Sequence, residues 1–135
     1  MNAFIVDLMN KPGELARLAD AIAQKGINIT SFAAATAGDT STVVVLTNDE
    51  SGTRRAISEA GCEAREIELV TASLDNKPGS LAAAAKKLSD AGINIEAAVP
   101  TGMAGGNVSV SFATDNPAKA RELLGAAEPA GIGVG

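Results

Sequence analysis

Asn10, Lys11, Pro12 and Gly13 stand 66 residues ahead of an identical run, Asn76, Lys77, Pro78 and Gly79, and Asn28 stands 66 ahead of Asn94. These types at this spacing suit one kind of chemistry. Proline fixes φ and glycine omits a side chain just before a helix presents its unpaired N–H groups. Those groups, at the positive end of the helix dipole, favour a carboxylate. An asparagine amide both donates and accepts. Two such amides beside free main-chain donors suit a small zwitterion, such as a free α-amino acid. The same residues also serve ordinary structure, because "NKPG" is turn and helix-start chemistry and an asparagine before a strand caps a turn. Both readings stand at the level of sequence.

The elements that must hold these residues are written twice. Leu15, Ala16 and Ala19 match Leu81, Ala82 and Ala85, and "GINI" closes both windows at Gly26–Ile29 and Gly92–Ile95. Leu8/Leu74, Val44/Val110, Asp49/Asp115 and Arg55/Arg121 extend the 66-residue register without a gap. In each copy a short apolar run ends at the asparagine, with Pro12 or Pro78 placed to open a helix. Leu15, Leu18, Ala19, Ile22 and Ala23 recur at helical spacing, and Gly26 ends that helix. A second strand follows in "INITSFAAAT", then an "AGDTS" turn, a third strand "TVVVLT", a helix capped by Asp49 and Ser51, and a fourth strand "CEAREIEL". The second copy repeats the order, with "TGMAGGN" as its hairpin turn, a helix after Asn116 and Pro117, and a last strand near Ile132. Strand, helix, two strands, helix, strand with both helices on one face is the ferredoxin-like arrangement. The expected fold is α+β, two tandem βαββαβ modules with antiparallel sheets, residues 1–67 and 68–135. Residues 63–74 hold no Gly, Pro, Asn or Asp, so one strand running through the junction and a rigid coupling of the modules are expected.

Composition removes other functions. The net charge is −5 with no long cationic run, which argues against nucleic acid or an anionic membrane as partner. Three phenylalanines, Phe4, Phe32 and Phe112, offer no stacking platform. Without histidine, His-based triads and His-ligated metals are excluded, and a lone Cys62 forms neither an intramolecular disulfide nor a cysteine-pair zinc site. "TGMAGGN" lacks the Gly-Lys-Ser/Thr ending of a phosphate loop. Alternation places Glu66 and Glu68 opposite Ile67, on an exposed strand face and not as a paired acid and base. No catalytic residue, metal or cofactor is expected. The absence of a cationic leader and of any apolar run of about 20 residues points to a cytoplasmic protein.

Strand, "N-K-P-G-x-L", helix, "G-I-N-I", twice over nearly the whole chain, resembles the ACT domain, an amino-acid-sensing module attached to enzymes of amino-acid metabolism. The resemblance implies a free-standing tandem ACT protein without a catalytic domain. It implies a small effector at the seam between two modules, with contacts from Asn10, Pro12, Gly13 and Asn28 and from Asn76, Pro78, Gly79 and Asn94. Lys11 and Lys77 flank the loops and are read as solvated. Where some family members carry a polar or imidazole side chain at the end of the first strand, this chain has Leu8 and Leu74, an apolar wall suited to a branched side chain. Met9 against Asp75, Glu14 against Ser80 and Thr30 against Glu96 allow the two sites to differ. "KPGELARLADAIAQKGINI" is also similar to the opening of free-standing ACT proteins of branched-chain amino-acid synthesis, which implies a regulatory subunit or adaptor docked on an enzyme. An exposed second strand leaves homo-oligomerisation open.

Overall fold

The apolar run that opens the chain forms β1 (Asn2–Met9), and the computed structural model, which describes residues 1–125, continues with α1 (Glu14–Ala23), β2 (Ile29–Ala37), β3 (Thr40–Thr47) and α2 (Glu50–Glu59). A strand of 13 residues follows, β4 (Glu63–Asp75). Then come α3 (Ser80–Asp90), β5 (Ile95–Ala104), β6 (Asn107–Thr114) and α4 (Pro117–Leu124). The chain divides into two units, Asn2–Ile67 and Glu68 onward with Met1, and the division falls inside β4. The stretch without turn residues is thus a single strand. In the first unit β2, β3 and β1 lie antiparallel in that order, and in the second β5, β6 and β4 repeat it. Each unit is α+β and ferredoxin-like. The strand expected near Ile132 lies outside the described residues.

Period two along strands and 3.6 along helices builds the cores. Phe4, Val6 and Leu8 alternate along β1 and pack with Val43 and Val45 of β3, Leu18 and Ile22 of α1, and Ala56 and Ile57 of α2. Burying one side chain of this size contributes about 1.5–3 kcal/mol. In the second unit Val70 packs with Leu88, Ile93 and Ala120, and Ala72 with Ala84 and Phe112. Leu15 and its counterpart Leu81, expected on the inner stripe, remain 45% and 56% exposed. Leu15 and Leu81 instead line open cavities beside α1 and α3.

The helix starts differ from the expectation in detail. Gly13 and Gly79 are the N-caps of α1 and α3, both at φ +91°, so Pro12 and Pro78 lie in the preceding turn and not at the first helical position. Pro117 does take that position in α4, where the Asn116 side chain accepts from the Lys119 N–H at 3.2 Å. Asp49 alone caps α2, accepting from the Gly52 N–H at 2.9 Å, while Ser51 lies within the helix.

The repeat does not keep one register. β1 pairs Phe4 with Val45, and β4 pairs Val70 with Phe112, so strands one and three of the two copies are offset by 66 and 67 residues. The extra residue is Thr101. Pro100 pairs with Val110 and Gly102 with Ser109, leaving a bulge where the first copy runs straight from Ala34/Val43 to Ala35/Thr42. Asn48 therefore corresponds to Asp115, Asp49 to Asn116 and Arg54 to Arg121, which corrects the ungapped pairs Val44/Val110, Asp49/Asp115 and Arg55/Arg121. The expected turns shrink as well. "AGDTS" contributes only Gly38 and Asp39, and "TGMAGGN" only Gly105 and Gly106, because β5 continues through Ala104.

Candidate functional site

The loop from Asn10 to Gly13 is tied to the turn between β2 and β3. The Asn10 N–H donates to the Asp39 carbonyl at 2.9 Å and the Asn10 side-chain amide to the Gly38 carbonyl at 3.0 Å. In the second unit the Asn76 N–H donates to the Gly106 carbonyl at 2.7 Å. The left-handed backbone at Gly13 and Gly79 turns the chain into the helix, and a β-carbon there would be strained although the space around it is open. The first helical bonds run from Arg17 N–H to Gly13 O and from Ala83 N–H to Gly79 O, both at 2.9 Å. Amides ahead of them stand outside the helical ladder. One of these, the Ser80 N–H, makes a long 3.4 Å contact with the Lys77 carbonyl.

Asn28 and Asn94 are placed elsewhere. Ile27 is buried and Ile29 packs against the core, while Asn28 is exposed just before β2. Its N–H donates to the Asn48 side-chain oxygen at 3.1 Å and its carbonyl accepts from the Asn48 N–H at 3.2 Å. Asn94 makes the same pair of bonds with Asp115, at 3.0 and 3.2 Å. From Ile29 at the start of β2 to Ala37, which pairs with Thr40 beside the Asn10 loop, the chain takes eight strand steps, roughly 26 Å. Each unit brings Asn10, Pro12 and Gly13 together, or Asn76, Pro78 and Gly79, but holds its Asn28 or Asn94 at the far end of the sheet.

Cavities flank these elements unequally. In the first unit a cavity of about 450 Å³ lies along α1 and β2 between Leu15, Ile22, Phe32 and Val45, and none of the four candidate residues of that copy lines it. In the second unit two cavities adjoin the loop itself. One, of about 460 Å³, is lined by Ser73, Lys77, Pro78, Gly79, Ser80 and Lys87. The other, of about 340 Å³, has an apolar wall of Leu74, Leu81, Ala98, Pro100, Val108 and Val110, with Asp75, Asn76, Lys77 and Ser80 around it. Ala98 and Ser80 replace Phe32 and Glu14 of the first copy, a signal present in the sequence at the 66-residue offset. The neighbours Val108 and Val110 follow only once the bulge is placed.

Charge separates the copies further. In the first unit Arg17 donates to both Glu14 oxygens, at 3.1 and 3.2 Å. Its guanidinium, helped by Lys11 and the Met9 backbone, holds the Glu14 carboxyl below the usual glutamate range. The same arginine reaches the Ala60 carbonyl at 2.7 Å and the Cys62 sulfur at 3.6 Å, clamping α1 to the loop before β4. An ionised carboxylate thus sits at the α1 start. The α3 start carries no acidic residue in its first turn. Glu66 and Glu68 are anchors and not an acid–base pair. Arg54 of α2 holds Glu66 at 2.8 and 2.9 Å, and Arg121 of α4 holds Glu68 at 2.9 Å. Among the described residues no group of three or more His, Cys, Asp or Glu could hold a metal ion, and no helix is long and apolar enough to cross a membrane.

Comparison with known proteins agrees with this architecture. A crystal structure of a protein from Bacteroides thetaiotaomicron shares the fold with a TM-score of 0.77 at 23% identity, over 92% of this chain and 85% of that one. The ligand-free regulatory subunit of aspartate kinase from Thermus thermophilus does so with a TM-score of 0.63 at 17% identity, over 92% and 89%. No curated protein matches the sequence significantly. Residues 3–60 match the family model of the ACT domain. The chain therefore carries an ACT domain in its first unit, and its second unit repeats that fold.

Proposed function

We propose that this protein is a non-catalytic regulatory module that binds a small amino acid. One observation carries the reading: in both units a left-handed glycine opens a helix beside an asparagine loop tied to the neighbouring hairpin. The arrangement leaves main-chain donors outside the helical ladder, the chemistry that holds a carboxylate. The ligand-contacting residues are Asn10, Pro12 and Gly13 in one copy and Asn76, Pro78 and Gly79 in the other. Asn28 and Asn94, at the far end of their own sheets, act toward a loop brought to them by another copy of the fold. The ACT match over residues 3–60 supports an amino acid as the ligand class.

Titration calorimetry against the standard amino acids tests the reading, with thermal melts alongside. Occupancy at about 100 times the dissociation constant adds about 2.7 kcal/mol to stability. Asn28→Ala or Asn94→Ala weakens binding by about 1–3 kcal/mol with the fold intact. A panel without heat or melting shift for any amino acid retires the proposal. A second reading, a subunit docked on an enzyme, draws on the shared fold with a regulatory subunit of aspartate kinase. Co-purification of this chain with a catalytic partner would raise it above the first.

A further inference from the structure

We infer that two chains pair through the β2 edges of their first units to form a closed dimer, and that Pro100 and Thr101 stop the second unit's edge, β5, from pairing in the same way. The inference goes beyond the ligand reading above and does not depend on it. Among the described residues β2 pairs with β3 alone and β5 with β6 alone, so each unit ends in a strand with one open side. The two edges differ. β2, "ITSFAAATA", has no proline and no charge, and from Ser31 to Ala37 it pairs with β3 without interruption. Phe32, Ala34 and Thr36 are exposed along it. Open strands of this kind accept another strand. β5, "IEAAVPTGMA", carries Glu96 and Pro100, and the bulge at Thr101 cuts its regular run after Pro100. A proline has no N–H to donate, and a bulge twists the strand away from a straight partner. Charge, proline and bulge are the devices that close an edge.

The partner that β2 fits is a second copy of this chain. The cavity between α1 and β2 leaves Leu15 45% and Phe32 60% exposed, an apolar strip continuous with the edge. No charge in β2 offers a charged partner anything to recognise. Two chains of net charge −5 can meet along it without setting like charges opposite each other. The nine residues of β2 run about 30 Å, and the sheet edge with α1 over it stands about 20 Å high. Such a face covers roughly 600 Å² per copy and about 1,200 Å² in total, the lower limit for a specific interface. An antiparallel pair of identical strands is two-fold symmetric and closes at two copies. With a second self-pairing edge on β5, each added chain would expose another, and association would run on without closing. Pro100 and the Thr101 bulge, both absent from β2, prevent that.

Sedimentation of the full chain tests this, with twice the mass of one chain expected. In amide hydrogen exchange, residues 31–37 gain protection as the protein is concentrated, and residues 97–104 do not. Phe32→Glu, a change at an exposed position, halves the mass and leaves the circular dichroism unchanged. Should it disturb folding, Ala34→Lys is the second variant, with the same expected loss. Pro100→Val with Thr101 deleted gives β5 the regular run of β2 and yields assemblies larger than a dimer. Should the deletion disturb the hairpin, Pro100→Val alone is the second variant, with the same expected gain. Adding Phe32→Glu brings these assemblies back to two copies, now joined through β5. A monomeric parent, a dimer that survives Phe32→Glu and Ala34→Lys, or concentration-dependent protection at 97–104 in place of 31–37 overturns the β2 dimer. A chain that remains a dimer after Pro100→Val with or without the deletion overturns the stop.

Discussion

Glu14 and Ser80 hold the same place at the start of equivalent helices and make one start anionic while leaving the other uncharged. The sequence showed the substitution, but not that Arg17 fixes the glutamate in place, because Arg17 also needs Ala60 and Cys62 from a distant loop. Glu66 illustrates the same point. Alternation put it on an exposed face, and the fold brings Asn2 and Arg54 to its oxygens at 2.7 and 2.8 Å. Those hydrogen bonds, Asn2 first and then Arg54, hold its carboxyl below its ordinary 4.5. A carboxyl lowered on folding stabilises the folded state above its unfolded value and loses that contribution as pH falls through the folded one. Thermal melts from pH 6 to pH 2.5 should therefore show Glu66→Gln less stable than the parent at pH 6. The two should converge at the acid end, where the parent's glutamate is protonated too.

At the scale of elements, the start of α2 is more tightly built than helix propensity suggests. A β-carbon on Gly52 would lie 2.5 Å from the Asp49 side chain and 2.7 Å from Ile27. Alanine is the better helix former by about 0.5–1 kcal/mol, yet the overlap displaces the cap and the core. Gly52→Ala should destabilise by about 1–3 kcal/mol in urea melts, as overpacking does. Lys119→Ala, at the corresponding exposed position of α4, should be nearly neutral. Strand and helix order was legible in the sequence because each element declares itself within about ten residues. The bulge at Thr101 was not, since an extra residue is visible only when a strand's partners are known.

At the scale of the whole molecule, β4 carries the chain from one unit to the next without a turn. Leu69 and Val70 within it are buried, at 2% and 1% exposure. Proteases cut exposed, mobile backbone, so residues 67–71 should resist limited digestion under native conditions. Rapid cleavage there would contradict the strand. The division of the chain follows the repeat, and the two units share one architecture while differing in their cavities.

The sequence by itself determined the doubled α+β plan, a helix after each NKPG run to within a residue or two, the second strands after Asn28 and Asn94, and the inventory of groups able to meet a zwitterion. These depend on periodicity, on φ preferences and on side-chain capping, which act over a few neighbouring residues. Only the tertiary structure decided that Asn28 lies at the end of the sheet opposite its own loop. It also decided that β6 is shifted by one residue and that Asp75, Lys77 and apolar side chains from four elements, β4, α3, β5 and β6, surround one cavity. Distances across a sheet are set by strand pairing between residues far apart in sequence, and no local pattern encodes them.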